Sequence, residues 1–485
     1  MENGSETGTL KTRAARTLKW NTLDRFSSQA LYAVTGIVLA NVLSKEDFGL
    51  VGVMLVFQAF ALLLVDSGFG AALLQKKDPT QEDYSTVFWF NLLVATIVYW
   101  VLWLCAPLIA RLFHSESLVW LSRVMFLSFF INGLSIVQTN RLMKLMDVKQ
   151  IAISDIVGLA VSGGAGIWIA LAGFGAWAIV WQTVILAAVR SVWLWIAGKW
   201  LPSFCFRKDS FRHIWRIGIG VLTSSFLNTV CLNLYSFIIG AWFKLTSLGI
   251  YTQADKWSKM GIASLSQIFT STFVPVLSGF QSDIRKFSEM SGKLLRISSF
   301  LLFPFMGGLI VMAVPIFHLL FGDKWDASIP LFQILCARGI LLIITSVFNN
   351  FLLALGKAKL MVAIEAVKDI LLVGALLATI GYGTLEALVW GQLFSALATF
   401  IVVLAITAAA IRRNALRLIA DMAPYALLTA TCASLMYLTG QLTDTPWIAL
   451  IMESAIGIAA YCGILRIAGS AVMREAIGYL RHRKI

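Results

Sequence analysis

The segment YTQADKWSKMG, Tyr251 to Gly261, sets Asp255, Lys256 and Lys259 inside a long apolar run. Thr252, Asp255, Lys256 and Lys259 recur at i, i+3, i+4 and i+7, which is one face of a helix. At the centre of a spanning helix each charge costs roughly 2.5–3.5 kcal/mol, so such a stripe must face a bundle interior or a wet cavity. Two chemistries fit. Asp255 and Lys259 are spaced for an i, i+4 salt bridge, with Lys256 bridging to another helix; or the stripe touches a cargo or a coupling ion. Other charges in apolar runs favour the second: Arg25 beside Asp24, Arg338, and Arg123 nearer one end of its run. Arginine and lysine bind anions through charge-assisted hydrogen bonds, which makes Arg25, Lys256, Lys259 and Arg338, with Asp255, candidate binding residues. Asp24 and Asp66 are candidates for gating or ion coupling. At 1.5 Å rise per residue Arg25 and Asp66 both lie roughly 10 Å deep, where they could pair and separate. Asp155, Glu365, Asp369 and Glu453 are further acids able to hold a proton or Na+.

The elements that must position these groups are membrane helices. The 485 residues are 59% hydrophobic and 13% charged, with a mean hydropathy of +0.82; a soluble domain is about a quarter charged. No stretch outside the apolar runs is long enough for a soluble domain. A helix needs about 20 apolar residues to cross a bilayer. Such runs predict fourteen spans, near 19–42, 47–74, 84–110, 118–140, 151–172, 176–197, 214–242, 247–275, 293–320, 327–355, 360–380, 385–410, 418–439 and 446–467. With the N-terminus inside, 29 lysines and arginines fall in cytoplasmic segments and 4 outside. That bias follows the positive-inside rule and places both termini in the cytoplasm. The net charge of +14 is spread over loops flanking spans, which argues against nucleic acid as a partner. The first span lacks a small-residue cleavage site and reads as retained.

The chain repeats itself. SKEDFGLV from Ser44 matches KLTSLGIY from Lys244, which sets Gly49 over Gly249 at an offset of 200. PLIARLF from Pro107 resembles PIFHLLF from Pro315, and GFGAWAIVWQ from Gly173 resembles GYGTLEALVWGQ from Gly381, both at 208. A unit of six helices makes the two copies parallel, related by an axis along the membrane normal, as in many transporters. The predicted fold is an all-α polytopic membrane protein with 6+6+2 spans. Its parts are an N-terminal lobe 1–205, a C-terminal lobe 206–411, and two extra helices with a basic tail, 412–485. At offset 200 the first copy has Leu55, Val56 and Ala59 where the second has its charges, so the fold copy does not require the stripe.

Fourteen spans as 6+6+2, the basic N-terminus running into a charged first helix, the SKEDFGLVG turn and the two GxG…VW…Q segments together resemble a family. It is that of the Wzx-type polysaccharide and O-antigen flippases, colanic-acid-exporter-like, of the multidrug/oligosaccharidyl-lipid/polysaccharide exporter superfamily. The resemblance covers nearly the whole chain. It implies two bundles around a central cavity lined by helices 1, 2, 7 and 8. It also implies a cargo of undecaprenyl-pyrophosphate-linked oligosaccharide, moved across the bacterial inner membrane, with bilayer lipid and a polysaccharide polymerase of the same membrane as partners. A peptidoglycan-precursor flippase shares the pyrophosphate carrier and is the nearest rival. A multidrug exporter of the superfamily would prefer an acidic cavity for cationic drugs. A membrane polymerase or ligase would need catalytic groups on a sizeable outer loop, and no nucleophile or acid–base constellation occurs. The chain is therefore expected not to be an enzyme. No Walker motif, CxxC or metal-ligand spacing is present, so neither cofactor nor metal is expected; Gly163, Gly164 and Gly166 read as helix-packing glycines.

Overall fold

The computed structural model describes residues 3–474 apart from 67, 68, 206, 444 and 471. It is all-α, with no strand among the described residues. In chain order the helices are α1 (Asn3–Val42), α2 (Lys45–Asp66), α3 (Phe69–Gln75), α4 (Gln81–Leu112), α5 (Leu118–Gly133), α6 (Ile136–Lys144), α7 (Val148–Leu171), α8 (Trp177–Gly198) and α9 (Lys208–Trp242). They continue as α10 (Leu245–Ser278), α11 (Ile284–Val311), α12 (Ala313–Phe321), α13 (Ile329–Ala354), α14 (Ala358–Ile380), α15 (Leu385–Ala410), α16 (Ala415–Gly440) and α17 (Pro446–Ile467).

Twelve of these segments, α5 and α6 counting as one, are long and apolar enough to cross a membrane. The other two predicted spans are helical as well, as α1 and α14. Glu365, Lys368 and Asp369 fall in any eighteen-residue stretch of α14, and α1 carries Asp24, Arg25, Gln29 and Asn41, so composition alone passes over both. The run 118–140 is broken between α5 and α6, where Leu134 and Ser135 donate to carbonyls three residues back. The run 293–320 is likewise divided at Met312. Hydropathy averaged over a whole span does not register such breaks, although Asn132, Gly133 and Ser135 mark the first of them.

The chain divides into two compact units, Met1–Gly249 and Ile250–Ile485. In the first, α7 packs on α1 and α8, and α5 on α4 and α8. The helix α9, which the repeat assigns to the second copy, packs on α2, α3 and α4. In the second unit α15 packs on α13 and α14, and α11 on α13 and α16. The extra helix α17 lies on α16 and α12.

The repeat motifs are helix ends. Ser44 and Asp47 cap α2: the Ser44 N–H donates to Asp47 Oδ2 (2.9 Å) and the Asp47 N–H donates to Ser44 Oγ (3.1 Å). Asp47 Oδ1 also accepts the Ala176 N–H at the start of α8 (2.8 Å). Gly175, at φ +55, passes so close that a Cβ there would sit 2.8 Å from the same oxygen. The SKEDFG and GFG motifs therefore meet. The first turns of α2 and α10 also meet, and reciprocally. A Cβ at Gly49 would overlap the Leu245 carbonyl, 2.6 Å from its carbon, and one at Gly249 would overlap the Lys45 carbonyl, 2.9 Å from its carbon. At the offset of 200, 45 corresponds to 245 and 49 to 249. The contact is thus its own counterpart under that offset.

Candidate functional site

The charged stripe lies on α10. Tyr251 is buried there and its hydroxyl accepts from Gln392 Nε2 of α15 (3.2 Å). Asp255 is buried, and its Oδ2 lies 2.6 Å from Lys259 Nζ, so the i, i+4 pair expected from spacing forms. The pair is asymmetric: the Asp255 side chain is 12% exposed and the Lys259 side chain 53%. Burial fixes the acid while the lysine head group stays open. The Lys256 ammonium lies 5.4 Å from the centroid of the Trp257 ring, which itself packs on Phe321 of α12 (5.3 Å). On the same turn Gln253 is fully buried, and neither its amide oxygen nor its nitrogen has a hydrogen-bond partner among the described residues.

The first unit holds a different arrangement. Asp24 is half-buried and accepts from Ser28 Oγ (3.0 Å), whereas Arg25 is exposed on α1. Asp155 of α7 pairs with Arg190 Nε of α8 at 2.8 Å, and Asp24 lies within electrostatic reach of the same guanidinium. Two acids from two helices thus share one arginine on a third. The side chain of Asp66 lies outside the described residues, so its pairing with Arg25 stays an expectation. Arg338 is half-buried on α13, beside the Gly339 contact with Ile262 of α10. Arg123 stacks on Trp103, 3.9 Å from the ring centroid, which is a packed interfacial role. On α14, Glu365 pairs with Lys368.

Sequence reasoning named Asp155 but not Arg190. The argument that selects Arg338, a cation in the middle of an apolar run, selects Arg190 equally well. It also missed the carboxylate of Asp421, which holds Arg296 (2.7 Å) and Arg413 (2.5 Å), one oxygen each. No metal spacing is visible in sequence, yet His318, Asp323 and Asp326 bring ligand-capable atoms within 4.8 Å of one another. Both acids are exposed, and His318 Nε2 is hydrogen-bonded to Asp326 (3.0 Å).

Long apolar helices with ionisable groups paired inside them, in two copies joined by reciprocal glycines, define a polytopic membrane transporter. The profile of the polysaccharide biosynthesis protein family matches residues 38–330, and the chain belongs to that family. It is similar to the succinoglycan biosynthesis transport protein ExoT of Rhizobium meliloti (strain 1021). The two are 24% identical over 97% of this chain and 96% of that one. Its fold is that of the lipid II flippase MurJ in an inward closed conformation, with a TM-score of 0.74 and 15% identity over 94% of this chain and 99% of that chain. A multidrug resistance MATE family transporter of the MOP superfamily, inward-facing, shares the fold less fully, with a TM-score of 0.62 and 15% identity over 79% of this chain and 95% of that chain. The resemblance read from the sequence is borne out at the level of the polysaccharide biosynthesis family, and the fold agrees with it.

Proposed function

We propose that this protein is a flippase. It moves undecaprenyl-pyrophosphate-linked oligosaccharide repeat units across the bacterial inner membrane by alternating access, for surface polysaccharide synthesis. The observation that carries the reading is the ionisable stripe of α10, with Lys259 paired to a buried acid yet half open. A membrane helix tolerates such groups where they meet water or an anion. Pyrophosphate is a compact polyanion, to which Lys256, Lys259, Arg25 and Arg338 offer charge-assisted hydrogen bonds. An apolar cleft of about 520 Å³ supports a lipid-linked cargo: residues of α10, α11, α16 and α17, among them Leu265, Phe300, Phe305 and Ile458, give a surface on which an isoprenoid chain can lie. The relative named for succinoglycan biosynthesis transport points the same way.

Asp24 is the coupling residue of this reading, with Asp155 beside it. Two carboxylates near one arginine can take up a proton or Na+ without leaving a large unbalanced charge. The basic bias of 29 against 4 puts the arginine-rich helix ends in the cytoplasm, where the cargo is made, and a polymerase of the same membrane would receive it outside. A peptidoglycan-precursor flippase is the closest second reading, because its cargo carries the same pyrophosphate. A cationic-drug exporter fits a basic stripe poorly.

The test uses inverted inner-membrane vesicles containing the protein, given labelled lipid-linked oligosaccharide. Glycan that becomes protected inside in proportion to the protein supports the reading. Protection of the peptidoglycan precursor but of no oligosaccharide carrier moves the assignment to the second reading.

A further inference from the structure

Outside the stripe, the second unit holds a charged cleft of about 560 Å³ where α15 turns into α16 over the start of α11. Five arginines line it: Arg285, Arg296, Arg412, Arg413 and Arg417, with Glu289 as the acid among the lining residues. Their attachments differ. Asp421 clamps Arg296 and Arg413, and Arg413 Nη1 also donates to the Ser288 carbonyl (2.9 Å). Arg285 lies 3.6 Å from Glu289. Neither Arg412 nor Arg417 has an ion-pair partner among the described residues. Arg412 is held at φ +53, in the left-handed region where a glycine would sit more easily. Five guanidiniums thus face two carboxylates. The first turns of two long helices, α11 and α16, lie beside the same cleft, capped by Asp283 and Asn414 respectively.

The corresponding end of the first unit is built the other way. There α4 begins, and Leu201 and Ser203 are hydrogen-bonded to its first turns. Here Lys76 is matched by Asp83 (2.6 Å) and Arg207 by Glu82 (2.5 Å), while Arg141 and Lys144 donate to the Gly198 and Lys76 carbonyls. The remaining space is filled with rings: Trp89 stacks on Phe204 at 5.0 Å, and Trp200 packs on Tyr84 and Phe88. The fold copy therefore needs no arginine cluster at this place.

We infer that the arginine cleft binds the phosphate of an anionic phospholipid head group. The cleft lies at the ends of membrane helices, the depth at which head groups sit. Leu416 and Ile419 of α16, next to it in sequence, are exposed apolar side chains along which an acyl chain can run. Clamped arginines present their donors in fixed positions, and basic pockets between membrane helices are a recurring head-group site. The lipid steadies the α15–α16 turn and with it the junction to the two extra helices.

The full-length protein, purified in a neutral detergent, is given phosphatidylglycerol bearing a photoreactive group near its head, with phosphatidylcholine of the same design as control. Cross-links are then mapped by peptide mass spectrometry. The expected result is phosphatidylglycerol cross-linking concentrated in 284–296 and 411–421. Arg412→Gln/Arg417→Gln, which leaves the Asp421 clamp intact, weakens phosphatidylglycerol retention about thirtyfold. Cross-links spread evenly over basic helix ends, or equal for phosphatidylcholine, would overturn the proposal, even if the double variant failed to fold. Protection of the cleft by millimolar inorganic pyrophosphate as strong as by the lipid would overturn the lipid assignment and make the ligand a soluble phosphate.

Discussion

Two intramembrane ion pairs of nearly equal length are built differently. Asp155–Arg190 (2.8 Å) joins two helices of the first unit, with Asp24 of a third helix in range of the arginine. Asp255–Lys259 (2.6 Å) closes within one turn of α10. Opening the first would leave two acids around a vacant centre between packed helices. Opening the second disturbs no helix contact. It frees an ammonium that is already half exposed and leaves the acid in its buried seat. A tertiary pair holds a lobe together; a local pair can exchange its partner for a passing anion and re-form. Under the proposed flippase reading, the first pair serves structure and coupling and the second meets the cargo.

Double-mutant cycles on thermal stability test that contrast most strongly. The Asp155–Arg190 coupling is expected near 1–2 kcal/mol, and the Asp255–Lys259 coupling near 0.5 kcal/mol or less. Equal couplings would break the comparison. The reciprocal glycines sharpen it from the opposite side, since there the two copies agree. Gly49→Ala and Gly249→Ala should each destabilise by about 1–3 kcal/mol, and by similar amounts, because each Cβ meets a backbone carbonyl that cannot yield. A large inequality in melting temperature between them would deny that the two contacts are equivalent. Asp47→Ala should cost about 1 kcal/mol or somewhat more, since it loses the α2 cap and the Ala176 contact together.

The smallest effect is electrostatic. Asp283, at the start of α11, has its carboxyl held below its ordinary value of 3.8, first by the Lys286 N–H and then by the Arg285 N–H and the Lys286 ammonium. A depressed carboxylate contributes stability above its unfolded value and loses it as pH falls through the folded one. The acid limb of stability below about pH 3.9 should therefore flatten in Asp283→Asn. An unchanged limb in an acid titration of melting temperature would show that the cap bonds are not formed in solution.

Much of this was legible before any coordinates. Each apolar run became helix, because twenty apolar residues in a bilayer leave the backbone few other ways to satisfy its hydrogen bonds. The Asp255–Lys259 pair was legible because an i, i+4 spacing carries its own geometry. The repeat was legible because Gly49 and Gly249 answer a steric demand that no other residue meets. What stayed hidden depends on partners far apart in the chain. Arg190 finds Asp155 across 35 positions, and Asp421 gathers Arg296 and Arg413 from two directions. The break at Met312 is hidden for another reason: a kink between apolar residues changes no hydropathy.

The central claim is that the lysines of α10 touch the cargo. Lys256→Ala/Lys259→Ala protein, matched to wild type for amount and melting temperature, should be compared with it for protection of labelled lipid-linked oligosaccharide inside inverted vesicles. The account predicts at least a tenfold fall in the initial rate, as expected for the loss of one charge-assisted contact or more. Wild-type protection in the double variant would contradict it and return the stripe to a purely structural role.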